Sequence, residues 1–401
     1  MRLLAVSHSA VVEVNCRLYT ELAARTGWEI EVMAPARWPS EYGGAGHRPG
    51  PARGFTMQPV PVWLPGRIPL HLYRSGLARR LEQFRPDLVF LDEEPYSAAA
   101  AQVALLCAAR RVPLALYTKQ NLRKRYPPPF RWTEQWIYRR AASILALSAE
   151  VRGVLRAKGY RGPCRLLDHA VDLELFTPGS GAELRARFGL EAPVIGYLGR
   201  LTAAKGVDLL LDALAQLREE PWTALLVGAG PCESELRARA AQAGLAGRVV
   251  LAGAAPHAEA PRYLRAMDVA VVPSRTTPGW KEQFGRVIIE ALACGVPVIG
   301  SDSGHVPHLL RETGGGWVVP EGDAAALAGQ IREALRDPVG RAERAAAGGA
   351  AVRRRYTYAA VADALADALL DALRGRGMAD GAGAGSAAGR RTETQISPWH
   401  S

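Results

Sequence analysis

Cysteine is scarce in this chain, and long apolar stretches are missing. Five cysteines occur among 401 residues, and their spacing fits neither a metal site nor a disulfide framework. No apolar run approaches the roughly 18–20 uncharged residues that a membrane-spanning helix needs. The short apolar run in MRLLAVSHSA predicts a first β-strand, because a secretory signal requires a longer hydrophobic segment. These absences predict a reduced, cytoplasmic protein.

Sequence signals for a bound metal are lacking as well. None of the eight histidines has a neighbour in sequence that marks it as a metal ligand, and no Asp-x-Asp follows a predicted strand. We therefore expect no obligatory metal and no other cofactor.

Acidic residues are outnumbered by basic ones. The formal net charge is +11 at pH 7, and in residues 121–140 six cations face Glu134 alone. Trp132, Trp136 and Tyr138 lie among them. Such a segment could bind the anionic surface of a membrane or an anionic acceptor, or it could be a solvated basic helix with a few core aromatics. No nucleic-acid-binding motif accompanies the charge, so we do not expect a nucleic-acid partner.

The chain is long enough for two domains. In its first half, apolar strands alternate with helical stretches near 15–25 and 97–111, which predicts a parallel, doubly wound sheet of the α/β class. The predicted strands are Leu3–Val6, Glu29–Ala34, Asp87–Leu91, Pro113–Tyr117 and Ser143–Leu147. Residues 36–75 are rich in Pro, Gly and Trp and predict a lid or an excursion from the core.

The same alternation begins again in the second half, with helices at Val207–Leu217 and Glu233–Ala243. The predicted strands are Val194–Leu198, Ala224–Val227, Val249–Ala252, Val269–Val272, Val298–Ile299 and Trp317–Val319. An Ala-rich helix follows residue 355. The Gly-, Ala- and Ser-rich residues 376–401 predict a disordered tail.

Two glutamates eight positions apart, Glu282 and Glu290, stand in the string EQFGRVIIE. At about 100° per residue, an offset of eight returns to nearly the same helix face. If the helix begins near Gly285, Glu282 lies in the preceding loop, and the free N–H groups at the helix start could hold a diphosphate. Glutamates at this spacing also occur on solvated helix faces, so the pair alone leaves both interpretations open.

With its flanking strands, the whole string resembles the Glu-x7-Glu signature of the retaining family 4 glycosyltransferases, which have the GT-B fold. The resemblance implies two Rossmann-like, doubly wound domains that face each other across a cleft. We expect an N-terminal, acceptor-side domain at residues 1–175 and a C-terminal, nucleotide-sugar-binding domain at 176–352. Residues 353–375 would form a helix that crosses back to the first domain.

The string GRLTAAKG resembles the donor loop of the same family and places Arg200 and Lys205 between a strand and a helix. On spacing alone these could be two surface cations, but cations in such a loop suit a diphosphate. The resemblance implies that Arg200 and Lys205 clamp the diphosphate and stabilise it as it leaves. It also implies that Glu282 holds the donor hexose and Glu290 the ribose. The other predicted donor-binding residues are Phe284, Gly285, Arg286, Val287, Gly199, Gly228 and Gly253.

The first half departs from the family pattern. Its first loop, SHSA starting at Ser7, has no glycine where members of the family often carry a glycine pair. After the fourth predicted strand, where many members have a histidine, this chain has Gln120 and Asn121. We expect a different acceptor arrangement and name Ser7, Gln120, Asn121 and Glu94 as candidate acceptor-side residues. An acidic loop such as the one containing Glu94 can also be merely solvated.

The resemblance implies retaining transfer of a hexosyl group from a nucleotide diphosphate sugar to a hydroxyl. Such reactions build cell-envelope polysaccharide, lipopolysaccharide or glycolipid, so the acceptor would be lipid-linked or a polysaccharide. Residues 121–140 would allow peripheral contact with the inner face of the cell membrane. Two alternatives stay open: a sugar-nucleotide epimerase, which shares the two-domain architecture, and a non-catalytic sugar-nucleotide-binding partner.

Overall fold

The first half of the chain forms a parallel sheet flanked by helices. The computed structural model describes residues 1–39, 48–50, 52–191 and 193–382, with the backbone alone from 376 onward. The strands of this half are β1 (Arg2–Ser7), β2 (Glu29–Pro35), β3 (Thr56–Val60), β4 (Val62–Trp63), β5 (Leu72–Tyr73), β6 (Leu88–Asp92), β7 (Leu114–Thr118), β8 (Ser143–Ala146) and β9 (Cys164–Leu166). Its helices are α1 (Glu13–Thr26), α2 (Leu77–Phe84), α3 (Ala98–Arg110), α4 (Phe130–Arg140) and α5 (Ala149–Ala157). Seven strands pair in the order β3-β2-β1-β6-β7-β8-β9, and β4 and β5 form a separate antiparallel pair.

The second half repeats this architecture with six parallel strands. Its strands are β10 (Val194–Leu198), β11 (Thr223–Val227), β12 (Val249–Gly253), β13 (Val269–Val272), β14 (Val298–Ser301) and β15 (Gly316–Val319). Its helices are α6 (Ala182–Phe188), α7 (Val207–Ala215), α8 (Glu233–Gln242), α9 (Ala260–Arg265), α10 (Arg286–Ala293), α11 (Val306–Thr313), α12 (Ala324–Arg336) and α13 (Pro338–Arg355). The strand order is β12-β11-β10-β13-β14-β15. The predicted α/β class with two doubly wound sheets is confirmed.

The central strands form near-continuous apolar runs because both faces of each sheet are covered. Residues 3–6 of β1 and 88–91 of β6 are at most 2% exposed. Parallel strands covered by helices on both faces show this pattern, in contrast to the alternation of a half-exposed sheet. This is why strand positions could be predicted to within one or two residues.

Each sheet has one point where the order of its strands reverses direction. In the first sheet it lies between β1 and β6, where Ser7 and Asp92 are partners at the carboxyl ends. In the second it lies between β10 and β13. Ligands of open α/β sheets bind outside the carboxyl ends of strands at such points. The loops that follow these four strands, together with the first turn of α10, carry most of the predicted site residues.

The last helix, α14 (Tyr358–Ala382), returns to the first half and packs on α1. The Tyr358 hydroxyl donates to the Val14 carbonyl oxygen at 2.8 Å, and Arg25 pairs with Asp363 at 2.6 Å. Residues 353–355, expected in this helix, end α13 instead, and the helix continues into the predicted tail up to Ala382. The rest of the predicted tail lies outside the described residues, and the predicted domain boundaries stay predictions.

Residues 36–75 are not simply an excursion from the core. Within this segment β3 pairs with β2 as the edge strand of the first sheet, and the side chains of His71 and Tyr73 are buried. The Pro- and Gly-rich composition concealed the strand, because β3 is only five residues long and itself contains Pro59. Residues 40–47 and 51 of the segment lie outside the described part of the chain.

Among the helices that the structure describes, none combines the length and the apolarity needed to cross a membrane.

Candidate functional site

Three predicted donor-binding glycines meet where β10, β11 and β12 end. The Gly228 N–H donates to the Gly253 carbonyl oxygen at 2.8 Å. A Cβ on Gly228 would lie 1.8 Å from the Gly199 carbonyl oxygen, and the φ of Gly228 is +150°. Only glycine fits this turn. The result is a stretch of bare backbone beside the loop of Arg200, where a nucleotide could approach the main chain.

Glu282 and Lys205, both predicted as catalytic, are in direct contact. Lys205 Nζ lies 2.6 Å from Glu282 Oε2, and the Ser274 hydroxyl donates to the same oxygen at 2.9 Å. Glu282 is only 6% exposed. A buried carboxylate is costly unless it is paired and hydrogen-bonded, and here it is both. The loop after β13 and the loop after β10 therefore meet through this carboxylate.

The ammonium group of Lys205 has a second neighbour, the ring of Trp280. Its Nζ lies 4.8 Å from the centroid of the Trp280 ring, within the range of a cation–π contact. A diphosphate placed near Lys205 would compete with Glu282 for the ammonium group. Release of Glu282 Oε2 would then leave this carboxylate able to accept a hydrogen bond from a sugar hydroxyl.

Arg200 lies in the same loop as Lys205. The Tyr197 hydroxyl donates to the Arg200 carbonyl oxygen at 2.6 Å, so a side chain of β10 anchors the main chain at Arg200. Both predicted diphosphate-binding cations thus follow the strand at the reversal point of the second sheet.

The start of α10 is open to an anion. Gly285 is its N-cap, with φ +83°, and no side chain caps the helix. The first N–H groups, at Arg286 and Val287, therefore have no side-chain cap, and the positive end of the helix dipole is available. The Arg286 Nη2 donates to Asn15 Oδ1 at 3.1 Å, which connects α10 to α1 of the first half.

Glu290 already has a partner that the sequence did not indicate. His257 Nε2 lies 3.0 Å from Glu290 Oε1, and the Glu290 side chain is 6% exposed against 41% for His257. His257 is in the turn that follows β12. A ribose hydroxyl would have to share the Glu290 carboxylate with this imidazole or displace it.

Phe284 supports the loop from within the core. It is 2% exposed and stacks on His305, with ring centroids 5.4 Å apart, while His169 meets its ring at 5.1 Å. Its side chain therefore contributes packing that holds the loop between Glu282 and α10, and it does not offer a surface to a donor.

Between the two halves lies a small cavity of about 50 Å³ with a mixed polar and apolar lining. Asn15, Asp92 and Lys119 line it from the first half and Arg286 from the second. Lys119 Nζ is 2.7 Å from Asp92 Oδ1. Burial would raise the pKa of Asp92, but the charges and hydrogen bonds of its neighbours, Lys119 first among them, together hold the pKa below its ordinary value. The cavity thus keeps an ionised carboxylate beside Lys119.

The neighbouring residue, Glu93, is completely buried and gathers three side chains. His8 Nδ1 lies 2.7 Å from Glu93 Oε2, and His71 Nε2 and the Tyr73 hydroxyl lie 3.3 and 3.0 Å from Oε1. Burial would raise the pKa of Glu93, yet the charge and hydrogen bonds of His8 and His71 lower it. The His8, His71 and Glu93 ligand atoms lie within 4.8 Å of one another, a spacing that a metal ion could use, although no metal was predicted.

Two of the candidate acceptor-side residues are held inside the first half. Ser7 is 1% exposed and donates to Asp92 at 2.8 Å. Glu94 accepts hydrogen bonds from the Thr118 hydroxyl at 2.6 Å and from the Lys119 N–H at 2.9 Å, and burial raises its pKa. These hydrogen bonds orient the loops after β1, β6 and β7.

The other two candidates lie in the loop after β7. Gln120 Nε2 donates to the Tyr126 hydroxyl at 3.3 Å. Asn121 Nδ2 donates to the Glu282 carbonyl oxygen at 2.9 Å, across the boundary between the two halves. Asn121 therefore helps to position the residue predicted to bind the donor hexose.

The pH dependence of stability should report on the His8–Glu93 pair. Burial alone would lower the pKa of His8, but Glu93 raises it above 6.5. A histidine whose pKa is higher in the folded state than in the unfolded state stabilises the folded state when it is protonated. This stabilisation is complete below pH 6.5 and disappears as the pH rises through the folded-state pKa. His8→Gln should therefore cost most near pH 5.5, by about 1.5–3 kcal/mol for a charged hydrogen bond, and less near pH 9.

Chemical denaturation at several pH values measures this difference in the free energy of unfolding. The control is His308→Gln. The His308 side chain, which pairs with Glu312, is 52% exposed, so this pair should contribute almost nothing to the free energy of unfolding at any pH. A cost of His8→Gln that does not change with pH would contradict the assignment.

The chain matches two family models that together cover most of its length. Residues 11–175 match "Glycosyltransferase Family 4", and residues 183–354 match "Glycosyl transferases group 1". Among solved structures, sucrose-phosphate synthase from Thermosynechococcus elongatus superimposes with a TM-score of 0.70 at 22% identity, covering 95% of this chain and all of that one. Anabaena HepE in complex with UDP superimposes with a TM-score of 0.73 at 21% sequence identity, covering 92% of this chain and 99% of that one. These similarities show the fold.

Curated relatives are similar over parts of their length. A GDP-mannose-dependent alpha-(1-6)-phosphatidylinositol monomannoside mannosyltransferase of Mycolicibacterium smegmatis is 38% identical over 48% of this chain and 52% of the relative. A 2-deoxystreptamine glucosyltransferase of Streptomyces kanamyceticus is 32% identical over 56% of this chain and 59% of the relative. A D-inositol 3-phosphate glycosyltransferase of Frankia alni is 33% identical over 62% of this chain and 66% of the relative. The match thus spans between half and two thirds of each relative. With both halves of the family's fold present and matched in order, the chain belongs to the family 4 glycosyltransferases of the GT-B fold.

Proposed function

We propose that this protein transfers a hexosyl group, with retention of configuration, from a nucleotide diphosphate sugar to a hydroxyl acceptor. The observation that carries the proposal is the contact of Lys205 and Ser274 with the buried carboxylate of Glu282 at the reversal point of the second sheet. Next to it, α10 begins without a side-chain cap. Adjoining loops would thus supply a carboxylate for the sugar and a positive charge for the diphosphate.

Charge accumulates on the leaving diphosphate as the glycosidic bond breaks. Lys205, Arg200 and the N-terminus of α10 would stabilise this charge, which is a contribution to the transition state. Glu282 would hold the hexose and Glu290 the ribose. A phosphate oxygen of the departing diphosphate would take the acceptor's proton on the same face, and this accounts for retention without a separate general base.

The donor is proposed as a sugar nucleotide, and no further cofactor is required by this scheme. The names of the relatives specify GDP-mannose for one protein, and HepE was solved with UDP. We therefore propose GDP- or UDP-sugars as first candidates. An acceptor within cell-envelope polysaccharide, lipopolysaccharide or glycolipid synthesis fits the relative that modifies a phosphatidylinositol mannoside.

Substitution of Glu282 tests the function. Glu282→Ala should lower turnover by on the order of 10²–10³-fold, the range for losing one stabilising contact to the transition state. Arg200→Ala should mainly weaken donor binding, by about 10-fold or more, since a charged hydrogen bond is worth about 1.5–3 kcal/mol. Nucleoside diphosphate release with and without acceptor, at varied donor concentration, separates the two effects.

The matched control is Glu343→Ala, an exposed carboxylate on α13 away from the site. If Glu282→Ala kept near wild-type turnover with every accepted donor, the assignment would be wrong. Interconversion of free sugar nucleotides without any acceptor would instead select the epimerase alternative, and donor binding without turnover would select the non-catalytic one.

We further propose that the protein is cytoplasmic and contacts the inner face of the cell membrane through residues 121–140. In this segment Trp132 is 67% exposed. The segment's one acid, Glu134, is buried and paired with Lys158 at 2.7 Å. Arg125 and Arg131 line a recess of about 450 Å³ together with other cations. An exposed indole beside arginines that pair with no acid among the described residues suits an anionic leaflet.

Cosedimentation with vesicles tests the membrane contact. Arg125→Glu combined with Arg131→Glu should weaken binding to phosphatidylglycerol-containing vesicles by at least about tenfold, since each cation near the surface contributes about 1 kcal/mol. Arg354→Glu, an exposed charge reversal on α13, is the control. Equal binding of all three proteins, or binding that is independent of salt, would contradict the proposal.

A further inference from the structure

Three side chains that can bind a metal ion meet in the first half, although they come from separate segments of the chain. His8 directly follows β1, His71 directly precedes β5, and Glu93 directly follows β6. One ligand atom of each lies within 4.8 Å of those of the other two. The side chains of His71 and Glu93 are completely buried, and that of His8 is 17% exposed. The proposed transfer reaction gives none of the three a role.

His71 faces an oxygen acceptor on each side of its ring. Its Nδ1 lies 3.1 Å from the Ile68 carbonyl oxygen, and its Nε2 lies 3.3 Å from Glu93 Oε1. A neutral imidazole has a single N–H, so one of these nitrogens would direct a lone pair at an acceptor. Bulk water does not reach the ring, because His71 is completely buried. With Nδ1–H donated to Ile68, the contact of Nε2 with Glu93 requires a positive charge, which either a proton or a metal ion supplies.

The spacing and chemistry of the three groups fit a first-row transition metal. The distance between His8 Nδ1 and Glu93 Oε2 is 2.7 Å, and that between His71 Nε2 and Glu93 Oε1 is 3.3 Å. Two ligands of a tetrahedral zinc ion, with bonds of about 2.0–2.2 Å, are about 3.3–3.5 Å apart. A small movement of the His8 ring would therefore make room for the ion. Two imidazoles and a carboxylate suit zinc, whereas magnesium and calcium prefer oxygen ligands.

Hydrogen bonds from neighbouring groups hold the three side chains in place. The Ile68 carbonyl oxygen orients the ring of His71, and the Tyr73 hydroxyl donates to Glu93 Oε1 at 3.0 Å. The main-chain N–H of His8 donates to the same oxygen, also at 3.0 Å. Such outer hydrogen bonds fix the tautomer of a ligating histidine and the direction of a ligating carboxylate in metal sites. The three groups are thus oriented toward one another before any ion binds.

We propose that His8, His71 and Glu93 bind a divalent transition-metal ion, zinc in the first place, with a water molecule as fourth ligand on the partly exposed side of His8. All three ligands belong to the first half, whereas the groups proposed to bind the diphosphate belong to the second, so the ion has a structural role.

The ion would join the loops after β1 and β6 to residues 36–75 and so restrict this Pro- and Gly-rich segment. Glu93 is 22 positions from His71 and 85 from His8, which is why no sequence motif marks the site. The pH dependence predicted for His8→Gln refers to the metal-free protein, because protons and metal ions compete for the same nitrogens.

Zinc binding to the full chain, produced without an affinity tag and stripped with EDTA, tests the proposal. Titration calorimetry and metal analysis should show one Zn²⁺ bound per chain, and Zn²⁺ should raise the melting temperature by mass action. His8→Gln should weaken binding at least about 100-fold, because losing a ligand costs more than the roughly 10–100-fold of losing an outer partner. Tyr73→Phe, which removes only an outer hydrogen bond, should weaken binding about 10-fold. The control, His308→Gln, should bind Zn²⁺ as the wild type does.

Replacement of Zn²⁺ by Co²⁺ gives a spectroscopic readout that a change in folding stability does not imitate. Four-coordinate Co²⁺ absorbs visible light strongly, and this absorption should appear with the wild type and be lost in His8→Gln. Circular dichroism in EDTA checks the folding of each variant. No stoichiometric Zn²⁺ binding by the wild type, or equal affinity of wild type and His8→Gln, overturns the site. If His8→Gln does not fold, unchanged Zn²⁺ affinity in the nearly isosteric Tyr73→Phe overturns it instead.

Discussion

The buried carboxylate of Glu282 is the contact on which the arrangement of the site depends. At 6% exposure it must be neutralised and hydrogen-bonded, and Lys205 and Ser274 provide both. Its main-chain carbonyl oxygen accepts from Asn121 of the first half and from the N–H of His305. Glu282 thus holds the loops after β10 and β13 together and joins them to the first half of the molecule.

The two halves use the same sheet geometry for different chemistry. At the reversal point of the second sheet lie glycines, cations and an uncapped helix start, groups whose chemistry suits a charged diphosphate. At the reversal point of the first sheet, the buried carboxylates of Glu93 and Asp92 are paired with histidine, tyrosine, serine and lysine side chains. The loops at the two reversal points therefore carry different chemistry, while the fold stays the same.

In the second half, the positions of strands, loops and helices could be predicted from the sequence because their signals are local. Lys205 follows an apolar strand, Gly285 precedes an apolar helix, and each was placed by its immediate neighbours. The acceptor half was harder because its contacts join distant residues: His8 and Glu93 are 85 positions apart, and His71 lies in the segment expected to be an excursion. The sequence did not indicate the contact of His257 for the same reason, since its partner Glu290 is 33 positions away. Periodicity and turn chemistry carry no information about such pairs.

Thermal-shift measurement against GDP- and UDP-sugars tests the central claim most directly. A ligand that binds the folded state raises the melting temperature by mass action, by an amount that grows with its concentration relative to Kd. The account predicts a concentration-dependent increase with at least one sugar nucleotide and a much smaller one in Lys205→Ala. No shift with any donor, or an equal shift in Lys205→Ala, would contradict it.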